Sequence, residues 1–233
     1  MPDKYLYPNS NVLINKEGIK SQEKLDLLES AIVNTKLVKL YEEGFLINDP
    51  NDIFKIHKIL FEEIYDWAGY AREVNIYKEE IVINNLSVEY EDYSLINEKI
   101  KLLDEKLKSI NWNNFKKVVD DLVIFISIMW KIHPFREGNT RSVVTYLYFL
   151  VKKNNYNLNT NLIRENAKYF RNALVMASIG EYSDYSYLKN ILSDALTIDE
   201  ITTRKTYNKN KKYQSVNNIE MSDYKYNYHT TKK

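Results

Sequence analysis

The chain has no cysteine, only five glycines and four prolines, and a formal net charge of +1 over 233 residues. Without cysteine there is no disulfide, no thiolate metal site and no thiol nucleophile. Scarce Gly and Pro argue for long regular elements rather than a turn-rich β sandwich. A near-neutral charge gives no global field directed at nucleic acid or a membrane surface. No run of eighteen apolar residues is present and no apolar signal segment opens the chain, so a soluble, cytoplasmic protein is expected. What the chain does have is apolar side chain. At 44% hydrophobic content it can bury one sizeable core, and one main domain is the default.

Apolar spacing predicts helices over 22–43 (Leu25, Leu28, Ala31, Ile32, Leu37, Leu40) and 53–65, the second preceded by the stop Asp49-Pro50-Asn51-Asp52. Around 72–90 the pattern changes. Val74 and Ile76, then Lys78-Glu79-Glu80, then Ile81, Ile83 and Val88 read as a short β-hairpin about a polar turn. Helical patterns resume at 93–108 and 113–132, the latter apolar nearly all round and so the expected central helix. Three more follow at 141–153, 160–177 and 184–196. From 199 to 233, eight Lys/Arg face four Asp/Glu and few large apolar residues remain. Such a segment has no core to offset its ordering entropy, so a basic, mobile tail is expected, with its tyrosines open to self-modification.

The richest stretch is His133-Pro-Phe-Arg-Glu-Gly-Asn-Thr-Arg141, a polar loop between two strongly apolar segments. Gly138-Asn139 leads into a helix near Thr140, whose unpaired amides and dipole would attract an anion. Arg141 carries a planar fork suited to phosphate oxygens. Glu137 is a hard oxygen ligand of the kind Mg²⁺ uses beside substrate phosphates. His133, fixed by the following proline, is the usual type of general base near neutral pH. Singly, each has a bland explanation: a helix C-terminal His, an ordinary turn, a surface Glu–Arg pair four residues apart. Together, between two buried helices, they point to phosphate chemistry.

This loop resembles the Fic-domain signature, His-x-Phe-x-[Asp/Glu]-Gly-Asn-[Gly/Lys]-Arg-x-x-Arg, matching it from His133 to Asn139 and again at Arg141. Tyr5-Leu-Tyr-Pro8, Asn15-Lys-Glu-Gly18-Ile19 and Trp67-Ala68-Gly69 with Arg72 are similar to the family's N-terminal arm and pre-hairpin segment. The resemblance implies a mainly α, Fic-type helical bundle with one β-hairpin flap. It covers roughly 5–198, within a domain placed at 1–198: an arm at about 1–21, a flap at about 72–90 and core helices at about 93–198.

It further implies a bacterial protein adenylyltransferase that moves AMP from ATP, with Mg²⁺, to a Ser, Thr or Tyr hydroxyl of a target protein. Delivery into a host cell is left open. In that reading His133 is the base and Glu137 the metal ligand. Gly138, Asn139, Thr140 and Arg141 form the nucleotide-binding set, with Phe135 counted among them as the loop's anchor. The target would pair with the flap by β-augmentation, clamped by Ile81 and Ile83; neither a membrane nor nucleic acid is an expected partner.

Two positions depart from the signature. Thr140 replaces the usual second Gly or Lys, and would be costly if a positive φ were required there. Val144 stands in place of the second Arg, which leaves a phosphotransferase, a transferase using another nucleotide, or a non-catalytic partner-binding module as alternatives. The family's inhibitory [Ser/Thr]-x-x-x-Glu-[Gly/Asn] motif is not found. The 22–43 helix reads Glu29-Ser-Ala-Ile-Val-Asn34, with no acid where that motif would put one, so no self-inhibition through such a glutamate is expected.

Overall fold

The structure is a computed structural model that describes residues 3–198. Its helices are α1 (Gln22–Glu43), α2 (Asp52–Phe61), α3 (Ile96–Lys108), α4 (Phe115–Ile132), α5 (Asn139–Lys153), α6 (Thr160–Glu165), α7 (Ala167–Met176) and α8 (Ser186–Ala195). The expected basic tail at 199–233 and its tyrosines lie outside the described residues. Among the described residues no helix is long and apolar enough to cross a membrane.

Helix α4 is central for the reason its sequence suggests. The Asn114 side chain accepts from the Lys117 amide and starts it, and ten of its residues, from Val118 to Ile132, are buried on all sides. It packs against α3, α5 and α8, while α5 packs in turn against α2. Helix α1 is different. It buries only Leu25, Val33 and Leu40, one residue every two turns, so a single narrow stripe holds it on α2.

The single helix expected at 160–177 is two. Asn166 breaks it by leaving helical geometry (φ −116°, ψ 33°) while its side-chain amide donates to the Leu162 carbonyl at 2.8 Å, a local competitor to the helix ladder. An unanticipated antiparallel pair, β1 (Tyr156–Leu158) with β2 (Leu196–Ile198), closes the domain, Asn157 facing Thr197.

The chain reverses at 72–90 as the alternation predicts, but not as a regular ladder. The two arms share one antiparallel bridge, Glu80 with Leu86. The turn lies not at 78–80 but at 81–85, where a 3-10 turn over Ile81–Ile83 is followed by Asn84 and Asn85 in left-handed conformation. Asn tolerates that region better than most residues, which is why the reversal settles there. Before the turn the chain is extended: Val74, Ile76, Lys78 and Glu80 face inward, and Glu73, Asn75, Tyr77 and Glu79 outward. The shifted turn separates the two isoleucines expected to act together. Ile81 is 85% exposed at the tip, whereas Ile83 is buried in the core.

Candidate active site

Helix α4 ends on His133, which takes a left-handed conformation (φ 50°, ψ 59°). That is uncommon for a residue with a side chain, and the next residue, Pro134, cannot continue a helix. The turn is held from outside by Arg72, which is 1% exposed. Its Nε donates to the His133 carbonyl at 2.8 Å, Nη1 to Val74 O at 2.7 Å, Nη2 to the carbonyls of Glu91 and Ile132, and its own amide to Pro134 O at 2.8 Å. One guanidinium thus fastens the end of α4, the loop and both arms of the flap.

A second buried group holds the far side of the loop. His57 of α2 accepts from the Gly69 amide at Nδ1 (2.9 Å), so its proton resides on Nε2, 3.1 Å from the Glu137 carbonyl. Its ring stacks on Phe135 (3.7 Å between centroids). Burial pushes the His57 pKa down to about 3, keeping the ring neutral in that tautomer.

Phe135 is fully buried, also against Phe54. Its ring holds the loop onto the core. The Asn139 side chain is likewise committed to the loop, accepting from the Phe135 amide (2.9 Å) and donating to the Phe135 carbonyl (2.8 Å). It therefore shapes the turn that leads into α5. Gly138 is required twice over: its φ is +81°, and an added Cβ would lie 2.4 Å from the Phe61 ring.

With Gly138 as N-cap, α5 begins at Asn139, and Ser142 donates the first amide back to the Gly138 carbonyl. The amides of Asn139, Thr140 and Arg141 precede that bond and form the first turn, where an anion is favoured. Thr140 is therefore inside the helix, and the positive φ falls on Gly138. A β-branched residue at 140 carries no left-handed strain, and its Oγ1 accepts from the Trp130 indole at 3.0 Å. Val144, partly buried one turn on, brings no charge to the site.

His133 is 2% exposed. Its Nδ1 lies 3.2 Å from the Trp130 carbonyl and so carries the proton, leaving Nε2 as a lone-pair acceptor with no hydrogen-bond partner although it is buried. Burial first, with Lys78 adding to it, depresses the ring's pKa well below the ordinary histidine value. Tyr90 lies against the ring at 4.0 Å. The arrangement is a neutral imidazole aimed to take a proton.

Glu137 Oε1 accepts from the Gly138 amide at 3.0 Å and Oε2 from Lys78 Nζ at 3.2 Å. Burial would raise its pKa, but Lys78, the Gly138 amide and Arg141 outweigh it and hold the carboxyl at about 2, ionised at every relevant pH. Among the described residues no cluster of three or more His, Asp or Glu could hold a metal. A divalent ion would rest on Glu137 alone, with phosphate oxygens and water completing its shell, and the hard donor fits Mg²⁺ arriving with a nucleotide.

Arg141 lies over the Phe61 ring (4.8 Å to its centroid) and pairs through Nη2 with Glu29 of α1, whose other oxygen accepts from the Tyr65 hydroxyl at 2.6 Å. Glu29, 12% exposed and outside the inhibitory-motif spacing, reaches the loop across 112 residues of sequence. Sequence reasoning assigned no role to Glu29, His57, Tyr65, Lys78, Tyr90 or Trp130, and none to Arg72 beyond its place in a similar segment. None of them carried a local signal, and Lys78 reads in the sequence as part of a polar turn.

Residues 47–151 match the family model for the Fic/DOC family. It is 27% identical over 191 residues to the protein adenylyltransferase VbhT of Bartonella schoenbuchensis, covering 82% of this chain and 38% of that one. It is 30% identical over 139 residues to the probable protein adenylyltransferase Fic of Escherichia coli, covering 59% of this chain and 66% of the relative. The chain thus spans well under half the length of VbhT. Among solved structures it resembles BepC of Bartonella tribocorum, which holds AMPPNP (TM-score 0.69, 21% identity, 83% of this chain and 96% of that one). It also resembles a Fic domain of Bartonella quintana with bound ADP (TM-score 0.70, 22% identity, 84% and 95%). At those identities the likeness establishes the fold.

Proposed function

We propose that this chain is a cytoplasmic bacterial protein adenylyltransferase, transferring AMP from ATP to a hydroxyl of a target protein. The observation that carries the reading is His133: a buried neutral imidazole with its proton on Nδ1 and Nε2 unpartnered, one short loop away from the anion-binding start of α5. Nε2 takes the proton of the target hydroxyl as its oxygen forms a bond to the α-phosphorus. The bond from that phosphorus to the β-phosphate bridging oxygen breaks, and pyrophosphate leaves. The first-turn amides of α5 and the Arg141 guanidinium balance the charge that develops on the phosphates. A divalent ion on Glu137 would supply Lewis-acid neutralisation between phosphates.

The domain that performs this extends beyond the matched 47–151 to include α1, because Glu29 supports Arg141. Glu29 engages one terminal nitrogen only, leaving the other donors of the fork for phosphate. It therefore positions Arg141 rather than blocking the site, in keeping with the lack of an inhibitory motif. The target's extended segment pairs with the outward edge of the flap at 75–79, and Ile81 at the exposed tip contacts it.

The test is label transfer with Mg²⁺, comparing ATP labelled at the α- and the γ-phosphate, on the protein itself and on a cell lysate. Label from α-ATP alone, lost by about 10³-fold in His133→Ala, is expected. Label from γ-ATP would replace the proposal with phosphotransfer; no label from either would replace it with another nucleotide or a binding role.

A further inference from the structure

In the extended arm of the flap, the inward positions are Val74, Ile76, Lys78 and Glu80. An ammonium in that series is out of character, and its location explains it. The backbone of Lys78 is tied across the flap, its amide donating to Ser87 Oγ at 3.1 Å. Its side chain, 23% exposed, reaches the other way, into the loop, to Glu137 Oε2 at 3.2 Å. Glu80, two residues on, fixes the arm: it pairs with Arg171 of α7 and accepts from the Tyr90 hydroxyl, and the Tyr90 ring rests on His133. Lys78 is thus delivered to the loop by a pinned strand.

Glu137 Oε2 is the oxygen left to a divalent ion, since Oε1 is held by the Gly138 amide. Lysine and metal therefore compete for one atom. A carboxylate with neither would lie bare at the mouth of an anion site and repel a polyphosphate. Once a metal takes Oε2, the ammonium is released within reach of the α5 start, where the phosphates of a nucleotide collect.

Building on the adenylyltransferase reading, we infer that Lys78 is a positioning residue of the phosphate site. It neutralises Glu137 while no divalent ion is bound and moves to a phosphate oxygen of the nucleotide when the ion takes its place. Its ammonium and the metal substitute for each other, so the nucleotide can enter before the ion, with or without it.

The experiment measures AMPPNP affinity by calorimetry for wild type, Lys78→Met and Lys78→Arg, in excess Mg²⁺ and in excess EDTA. Thermal unfolding of each variant checks that the fold is kept. Expected is a loss of about 10-fold or more for Lys78→Met in EDTA but only about 2- to 5-fold in Mg²⁺, with Lys78→Arg close to wild type in both. Equal losses in the two conditions, or none in EDTA, would overturn the exchange. The assignment of AMP transfer can fail without this result, because the readout is binding: a metal-dependent difference with no label transfer would keep Lys78 and discard the reaction.

Discussion

In the loop from His133 to Arg141 most polar groups have a partner, and several of those partners come from far along the chain. Arg72 holds the carbonyl of His133, His57 that of Glu137, and Asn139 closes on Phe135, while Phe135 itself is sealed between aromatic rings. The flap beside it has one antiparallel bridge, a 3-10 tip and an isoleucine 85% exposed. On the proposed function the two regions do different work. Proton transfer and phosphate binding require atoms fixed within fractions of an ångström, which only a network of buried hydrogen bonds provides. Accepting a segment of another protein requires main-chain groups not already paired within the domain. The groups that fix the flap are Glu80 beside its tip, which pairs with Arg171 of α7, and Tyr90 at its base, which lies on His133.

The contrast is sharpest at Gly138. Gly138→Ala adds a left-handed penalty to a 2.4 Å collision with Phe61, and a loss of about 2–4 kcal/mol in urea unfolding is expected, together with nucleotide binding. A loss under about 1 kcal/mol would mean that the loop is far softer than its contacts suggest.

Acid should attack the loop next. His57 has a folded pKa near 3, whereas in the unfolded chain it titrates near 6.5. Between those values the unfolded state binds the extra proton, so stability falls as pH drops below about 6.5, by up to about 1.4 kcal/mol per pH unit. Buried neutral His133 acts in the same direction. In urea unfolding from pH 7 to 5, the slope should be shallower in His57→Gln; an unchanged slope would remove His57 as its source.

Glu29→Gln tests how the bundle supports the loop from outside the matched region. It keeps shape but removes the charge that holds Arg141, and AMPPNP affinity is expected to fall by about 3- to 10-fold. Tighter binding or strong activation would instead make Glu29 a restraint. The smallest effect on stability belongs to the flap. Ile81→Ala should leave unfolding within about 0.5 kcal/mol of wild type while lowering transfer to a protein target but not ATP affinity. A stability loss above about 1.5 kcal/mol would show the tip to be packed, and the contrast between the two regions would fail.

Helices α1, α4 and α5 were predictable because their signals are local: an apolar period along each and, before α5, the Gly138-Asn139 pair. The nine residues of the loop were legible for the same reason, since base, carboxylate and guanidinium types are carried by the residues themselves. The break at Asn166 was hidden because an apolar period continues through it, and the backbone alternative offered by its own side chain leaves no trace in that period. The flap turn shifted to Asn84 and Asn85 because left-handed tolerance outweighed polarity in choosing where the chain reverses.

The sequence by itself determined the inventory: a mainly helical domain, a central buried helix, and a loop equipped with His133, Glu137 and Arg141. Tertiary structure alone decided the state of each of those groups. Arg72 reaches His133 across 61 residues, His57 reaches Glu137 across 80, Lys78 reaches Glu137 across 59 and Glu29 reaches Arg141 across 112. Their pKa and free valence depend on such distant partners, because desolvation and hydrogen bonding act through space and only the packed bundle brings those groups within reach.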